Sequence, residues 1–439
     1  MTGPSTYEPK TPIERWLDTR LPIVRFSVDL LDFPTPKNLN YWWTFGGILA
    51  FCLGVQIITG IVLAMHYVPS GEGAFNSVQH IMRDVNYGWL IRYVHANGAS
   101  MFFLAVYIHM FRGLYYGSSK APRELLWLIG CAIYVCMMAA AFFGYVLPWG
   151  QMSFWAAKVI TSIFGAVPVI GPSITTWLVG GFTVDAPTLN RFYSLHYLTP
   201  FVIAALVGLH IWALHVPGNS NPTGVNVKAK SDTVPFHPYF TVKDSFAISL
   251  FLILFAVLVF YMPEATSDVQ NSIPANPIVT PPEIKPEWYL RPYYAMLRAI
   301  PDKLTGVIVL AASMVSIFLL PWLDRSRVRS MRYRPQAKAY FFVFVAACII
   351  LGICGGFPPD KQVIRGLTTF NLIDYDVNTY VWLSRIGTLY YFAFFWVLLP
   401  FMLPLTEKTL PVPESISTPV LAHPAAVPAG APAAPEQKG

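Results

Sequence analysis

The sequence predicts an all-α membrane protein with eight transmembrane helices, the first four packed as a four-helix bundle. Three observations carry this. Of 439 residues, 55% are hydrophobic and only 12% are charged, against roughly 25% charged in a soluble domain. Mean hydropathy is +0.49. Eight apolar stretches approach the ~20 residues that a helix needs to cross a bilayer. Finally, two of the first four stretches carry a histidine pair at the same spacing of 14 residues.

The stretches run 41–67, 92–116, 124–147, 195–216, 245–262, 304–322, 339–356 and 383–404. The seventh is short and the eighth carries Arg385. Residues 1–40 are polar and Pro-bearing, with no short apolar secretory core near Met1. They read as a cytoplasmic N-terminal segment. Residues 41–220 form the bundle, and 221–405 form a second half with the other four helices. Residues 406–439 are rich in Pro and Ala and read as a disordered tail.

Short-loop cations set the orientation. Lys120 and Arg123 follow the second helix, and Lys228, Lys230 and Lys243 follow the fourth. Arg325, Arg327, Arg329, Arg332 and Arg334 follow the sixth. This side is assigned to the cytoplasm, with both termini. The long loops 68–91, 148–194, 263–303 and 357–382 then face outward. Loop 148–194 includes a surface helix near 153–165, and loop 263–303 is Pro-rich. Long loops of this kind are usually functional.

The net charge is 30 − 23 = +7. Its cations lie between apolar stretches with no interleaved basic and aromatic patch, which argues against nucleic acid as a partner. Cys52, Cys131, Cys136, Cys348 and Cys354 all fall inside apolar stretches. They read as small buried hydrophobes rather than disulfides or metal ligands.

His95 and His109 lie on the second helix, and His196 and His210 on the fourth. Fourteen residues of helix rise about 21 Å through almost four turns, so each pair shares one face. Both helices enter from the outer side by the crossing count. His95 and His196 therefore share an outer depth, and His109 and His210 an inner one. Such tiers suit two stacked haems, each gripped by one imidazole from each helix. The first helix repeats the interval with Gly46 and Gly60, and the third with Gly130 and Gly144. Gly60 and Gly144 match the outer tier, Gly46 and Gly130 the inner, and each leaves a gap for a porphyrin edge. Arg92 and Arg112 lie three residues from a histidine and suit haem propionates. Glycine pairs alone usually mean close helix packing, and a lone membrane histidine can serve a proton path or a helix contact. Four matched spacings at consistent depths make coincidence a poor explanation.

The same test rejects His66 and His80, also 14 apart, because Pro69-Ser70-Gly71 breaks any shared helix. His80 and His237 read as loop residues and His423 as part of the tail. Bis-histidine iron has no open position, so such haems only carry electrons.

Three longer motifs then stand out: Arg92-Tyr93-Val94-His95-Ala96-Asn97-Gly98-Ala99-Ser100, Gly144-Tyr145-Val146-Leu147-Pro148-Trp149-Gly150-Gln151, and Pro286-Glu287-Trp288-Tyr289. With them the chain resembles, from about residue 25 to 405, the cytochrome b of bacterial cytochrome bc complexes, the quinol–cytochrome c reductases. The resemblance implies two non-covalent, low-spin haems b with His95, His196, His109 and His210 as iron ligands. It implies a proton-motive Q-cycle, with ubiquinol oxidised at an outer site and ubiquinone reduced at an inner one. It also implies a Rieske iron–sulfur protein, a c-type cytochrome and lipids as partners, in a homodimeric complex. Glu287, Tyr145 and Tyr289 would serve the outer site; His215, Lys243, Asp244 and Asn219 would serve the inner.

Two positions depart from the family pattern. Ala156 stands where the family usually has Gly, which predicts a narrower outer pocket and weak strobilurin-type inhibition. Arg291, in Leu290-Arg291-Pro292, interrupts a run that is usually more apolar. Two competing readings fit less well. The plant-type relative splits the halves into two chains and spaces one ligand pair by 15. A histidine-bearing transporter needs neither matched glycines nor an arginine beside each ligand pair.

Overall fold

The computed structural model describes residues 5–358 and 379–417. Eight helices within them are long and apolar enough to cross a membrane: Tyr41–Ala64, Gly88–Tyr115, Glu124–Val146, Ala186–His215, Tyr239–Tyr261, Lys303–Leu323, Pro335–Cys354 and Thr379–Thr406. They are called the first to the eighth span below. All eight predicted stretches are present. The fourth span starts nine residues before the apolar stretch at 195, because its entry is capped rather than greasy. Asp185 accepts from the Ala186 amide at 2.8 Å, the Thr188 hydroxyl accepts from the Asp185 amide at 3.2 Å, and Pro187 sits in the first turn. Such a box satisfies amides that have no partner inside the helix.

The first and second spans pack together, as do the third and fourth. The lipid-facing sides of the later spans carry apolar side chains such as Leu254, Phe260 and Ile349. Arg385 lies inside the eighth span, where its Nε donates to the Ala299 carbonyl at 3.0 Å and its guanidinium covers the Trp382 ring. Those contacts explain how a cation is tolerated in an apolar helix.

The connecting segments hold more helix than the sequence predicts. Pro12–Asp18 and Ile23–Leu31 are helical within residues 1–40. The surface helix expected near 153–165 runs Gln151–Phe164, followed by Gly171–Val179. Arg291–Ala299 forms a short helix after the third motif. His80, read as a loop residue, lies in the helix Gly73–Arg83, where it pairs with Asp84 at 2.8 Å. That helix is short and mixed in polarity, so it gave no membrane-scale signal. His66 lies beyond the first span and shares no helix with His80.

On the side assigned to the cytoplasm, several orienting cations are consumed internally. Arg334 is fully buried and pairs with Asp324 at 2.7 Å and with Glu407 at 2.9 Å. Lys120 pairs with Asp324 at 2.9 Å. Burial pushes the Lys120 ammonium down to about 8, against the pull of Asp324. Burial also works against the Asp324 carboxylate, but Lys120 and Arg334 outweigh it and hold it below its usual value. The tail is not disordered from its start: Leu410 donates to the Tyr333 carbonyl at 2.8 Å, and Ser417 to Asp232 at 2.6 Å. The predicted tail beyond 417, with His423, lies outside the described residues, as do 359–378 of the last outer loop. Pro34–Pro36 pairs antiparallel with Thr233–Pro235, tying the N-terminal segment to the connection after the fourth span.

Candidate functional site

The four histidines meet in two pairs across the bundle. His95 and His196 have ring centres 6.1 Å apart with planes at 88°. His109 and His210 have ring centres 6.5 Å apart with planes at 58°. Each of the four glycines faces one of these rings. A methyl group added at Gly60 would lie 3.1 Å from His95 Cε1, and one at Gly130 the same distance from His210 Cε1. At Gly46 it would lie 3.7 Å from His109 Cε1, and at Gly144 it would collide with His196. The 14-residue register thus pairs glycine to histidine in the tiers that the crossing count predicts.

In the outer tier the second ring nitrogens are bound. Thr59 donates its hydroxyl to the Val55 carbonyl at 2.6 Å, so its oxygen accepts from His95 Nδ1 at 2.9 Å. His196 Nδ1 donates to the Ala140 carbonyl at 2.8 Å. A carbonyl only accepts, so both rings carry their proton on Nδ1 and present a bare Nε2.

The inner tier differs. His109 Nδ1 lies 3.3 Å from Arg112 Nη2, a group that only donates. His210 Nδ1 is buried and faces the Leu126 backbone without closing a hydrogen bond. Arg112 sits over the Trp43 ring at 4.9 Å, yet its Nε and the Trp43 indole nitrogen are buried without partners.

Beside the outer tier lies an apolar cavity of about 270 Å³. His95, His196, Gly60, Gly144 and Arg92 line it, together with Tyr145, Glu287 and Tyr289. Tyr145 and Glu287 also line a second, polar space of about 550 Å³ with Asp268, Lys285 and Arg291. Glu287 therefore stands between an apolar chamber and a polar vestibule. Burial pushes its carboxyl up to about 7, against Arg291 and Arg92 and with Asp268. Tyr289 is buried and stacked on Phe103 at 3.9 Å, and its carbonyl accepts from the Tyr107 hydroxyl. Trp288 donates to Ser100 at 3.1 Å.

The helix Gln151–Phe164 is sewn to the loop that precedes this motif. Gln151 donates its amide to the Ile273 carbonyl at 2.8 Å, and Ser153 donates its amide to Asn271 at 2.9 Å. Ala156 is buried in that helix but does not line the apolar cavity.

The inner candidates gather less tightly. His215 meets the Phe33 ring edge-on at 4.5 Å and its Nδ1 donates to the Ile211 carbonyl. Lys243 donates to the Leu39 carbonyl at 2.6 Å and covers the Tyr41 ring. The Asp244 carboxylate lies against Gly47. The Asn219 carbonyl accepts from Arg123 at 3.2 Å. Among the described residues no hydrogen bond joins His215 to Lys243 or Asp244.

Comparison with known proteins decides the family. The profile described as Cytochrome b/b6/petB matches residues 30–218, and Cytochrome b(C-terminal)/b6/petD matches 274–392. The chain belongs to the cytochrome b family. It is 54% identical to the cytochrome b of Rickettsia bellii over 404 residues, 92% of this chain and 96% of that one. Against the cytochrome b of Rhodobacter capsulatus it is 52% identical, covering 95% and 97% of the two chains. It is 55% identical to the cytochrome b/c1 of Bradyrhizobium diazoefficiens over 96% of this chain, which spans only 59% of that longer protein. A chain of a hyperthermophilic respiratory Complex III matches the fold with a TM-score of 0.80 and 35% identity, covering 88% of this chain and 98% of that one.

Cytochrome b implies haem, and the residues present fit it. Two imidazole–metal bonds of about 2 Å, plus a ring radius on each side, call for ring centres about 6 Å apart. Both pairs meet that. Each tier also has a glycine on the wall behind each ring. The unpartnered donors on Arg112 and Trp43 suit a buried anion such as a propionate. Sequence reasoning missed Thr59, Trp43 and the Ala140 carbonyl. Thr59 immediately precedes Gly60, which is a usable signal; a backbone carbonyl leaves none.

Proposed function

We propose that this cytochrome b oxidises quinol in the outer cavity and reduces quinone at an inner site. It is then the quinone-handling catalytic subunit of a quinol–cytochrome c oxidoreductase. One electron crosses the membrane within this chain. The other leaves to a Rieske iron–sulfur protein and a c-type cytochrome, completing a proton-motive Q-cycle. Two non-covalent haems b, one per histidine tier, supply one-electron transfer when bound.

The observation that carries this reading is the outer cavity, where His95, His196, Tyr145 and Glu287 share one wall system. Oxidising a quinol releases protons as well as electrons. Glu287 accepts a proton on the apolar side and releases it into the vestibule, a role suited to a carboxyl held near 7 by burial. Tyr145 and Tyr289 shape and hydrogen-bond the bound ring. Burial keeps the Tyr289 phenol neutral, well above its usual range. Arg92 faces outward beside His95 as a propionate partner, and Arg112 serves the inner tier. At the inner site Lys243, Asp244 and His215 hold quinone and supply protons, with Asn219 beside them.

The protein sits in a bacterial inner membrane with both termini cytoplasmic, among lipids, in a homodimeric complex. The half 41–220 carries all four ligand histidines, and 221–405 carries Glu287 and Tyr289 of the outer site and Lys243 and Asp244 of the inner.

Steady-state quinol oxidation by a Glu287→Gln complex tests the reading. A drop of ~100-fold or more with both haem bands retained is expected. An unchanged rate across pH would overturn the proton-acceptor role.

A further inference from the structure

Arg291 opens the short helix Arg291–Ala299 directly after the motif that carries Glu287. A cation here needs a reason, because its neighbours Tyr289 and Tyr293 are buried. Its place is built. Nε donates to the Pro286 carbonyl at 3.1 Å. The outer end of the seventh span closes on it with two glycines. A methyl group at Gly356 would lie 2.9 Å from Arg291 Nη1, and one at Gly355 would collide with the Arg291 backbone. Side chains at 355 and 356 would close the slot that the arginine fills.

From that slot the guanidinium faces the polar vestibule with Glu287, Asp268 and Lys285. Lys285 is already engaged with Asp268 at 3.3 Å. Among the described residues, Arg291 Nη1 and Nη2 make no hydrogen bond to protein. Two further charged or titratable groups face Glu287 from other elements, Arg92 from the second span and Tyr145 from the third. Glu283 lines the same vestibule.

We propose that Arg291 is a positioning residue of the outer site, whose pinned guanidinium holds Glu287 ionised against the apolar chamber and so sets the lower pH limit of quinol oxidation. The inference rests on Glu287 as proton acceptor. A fixed cation lining the same vestibule favours the charged carboxylate. The effect works without contact with the quinol, through the vestibule. The same cation weakens the hold of Glu287 on its proton, which favours release.

The sign is definite. Removing the cation raises the Glu287 carboxyl further, so more of it is protonated at a given acidic pH, and the acid limb of the rate profile moves to higher pH. The test is kcat/KM for quinol oxidation against pH in purified complexes carrying Arg291→Leu, Arg291→Gln and Arg291→Lys, with Glu287→Gln alongside. Both haem bands in the reduced spectrum report assembly. Arg291→Leu and Arg291→Gln should lose ~3–10-fold at pH 6.5, the deficit narrowing as pH rises, while Arg291→Lys restores the wild-type limb. The glutamine keeps a donor for Pro286 and serves if the leucine variant does not assemble. Equal losses at every pH, or a lysine variant that behaves like leucine, would overturn the proposal. If Glu287→Gln itself keeps the wild-type acid limb, the proton-acceptor reading fails instead. If that limb vanishes and the arginine variants leave theirs unmoved, only Arg291 is misassigned.

Discussion

The two histidine tiers share a spacing, a pair of glycines and an arginine, yet they are prepared differently. In the outer tier both Nδ1 atoms are committed, to Thr59 and to the Ala140 carbonyl, and both Nε2 atoms are bare. In the inner tier one Nδ1 faces a guanidinium and the other faces the Leu126 backbone without a closed hydrogen bond. The outer ligands are therefore oriented by protein alone. The inner ones have Arg112 beside His109 instead of an acceptor. Partners of the second ring nitrogen fix the tautomer of a ligating histidine and are worth about 10–100-fold in metal affinity. A repeated sequence interval thus places the rings at matched depths and leaves their protonation to neighbours that differ.

The largest test of the contrast is steric. Gly144→Val drives a side chain into His196 and should remove the outer haem component, with quinol oxidation falling ~100-fold or more. Gly46→Ala meets only His109 Cε1 at 3.7 Å and should keep both components. Overpacking of the first kind costs about 1–3 kcal/mol locally. Reduced-minus-oxidised spectra report both. If the two variants behave alike, the glycines serve general helix packing.

A smaller effect tests the hydrogen bonds. Thr59→Val removes the acceptor for His95 Nδ1, and the outer haem should be retained ~10-fold more weakly, seen as loss of its band on dilution or mild denaturation. The inner band should be untouched. Equal weakening of both would mean that Thr59 acts through the first span and not through His95.

The pH dependence is smaller again. Glu287 must be ionised to accept a proton, and its carboxyl is pushed to about 7 by burial, Arg291 opposing. At pH 6 about a tenth of it is ionised, so quinol oxidation should fall several-fold between pH 8 and pH 6. Inner-site quinone reduction, measured with the outer site inhibited, should not follow that limb.

Much of this was legible in the chain. Fourteen-residue intervals at His95, His196, Gly60 and Gly144 survive into three dimensions because a helix is a rigid ruler. The eight spans were legible for a related reason: a bilayer demands long apolar runs, and few other structures do. What failed to show was short or backbone-made. The helix Gly73–Arg83 hid behind its polarity, so His80 was misread. The tail as far as Ser417 looked disordered from its Pro and Ala, yet Arg334, Tyr333 and Asp232 anchor it by polar contacts. The vestibule at Glu287 brings Tyr145 against the distant loop 265–291, and no local pattern announces it.

The pairing of histidines across the bundle is tested most directly by redox titration of the b-type bands in four single variants, His95→Leu, His196→Leu, His109→Leu and His210→Leu. Two components should titrate in the wild type. His95→Leu and His196→Leu should lose the same one, and His109→Leu and His210→Leu the other. Loss of different components by His95→Leu and His196→Leu would contradict the two tiers.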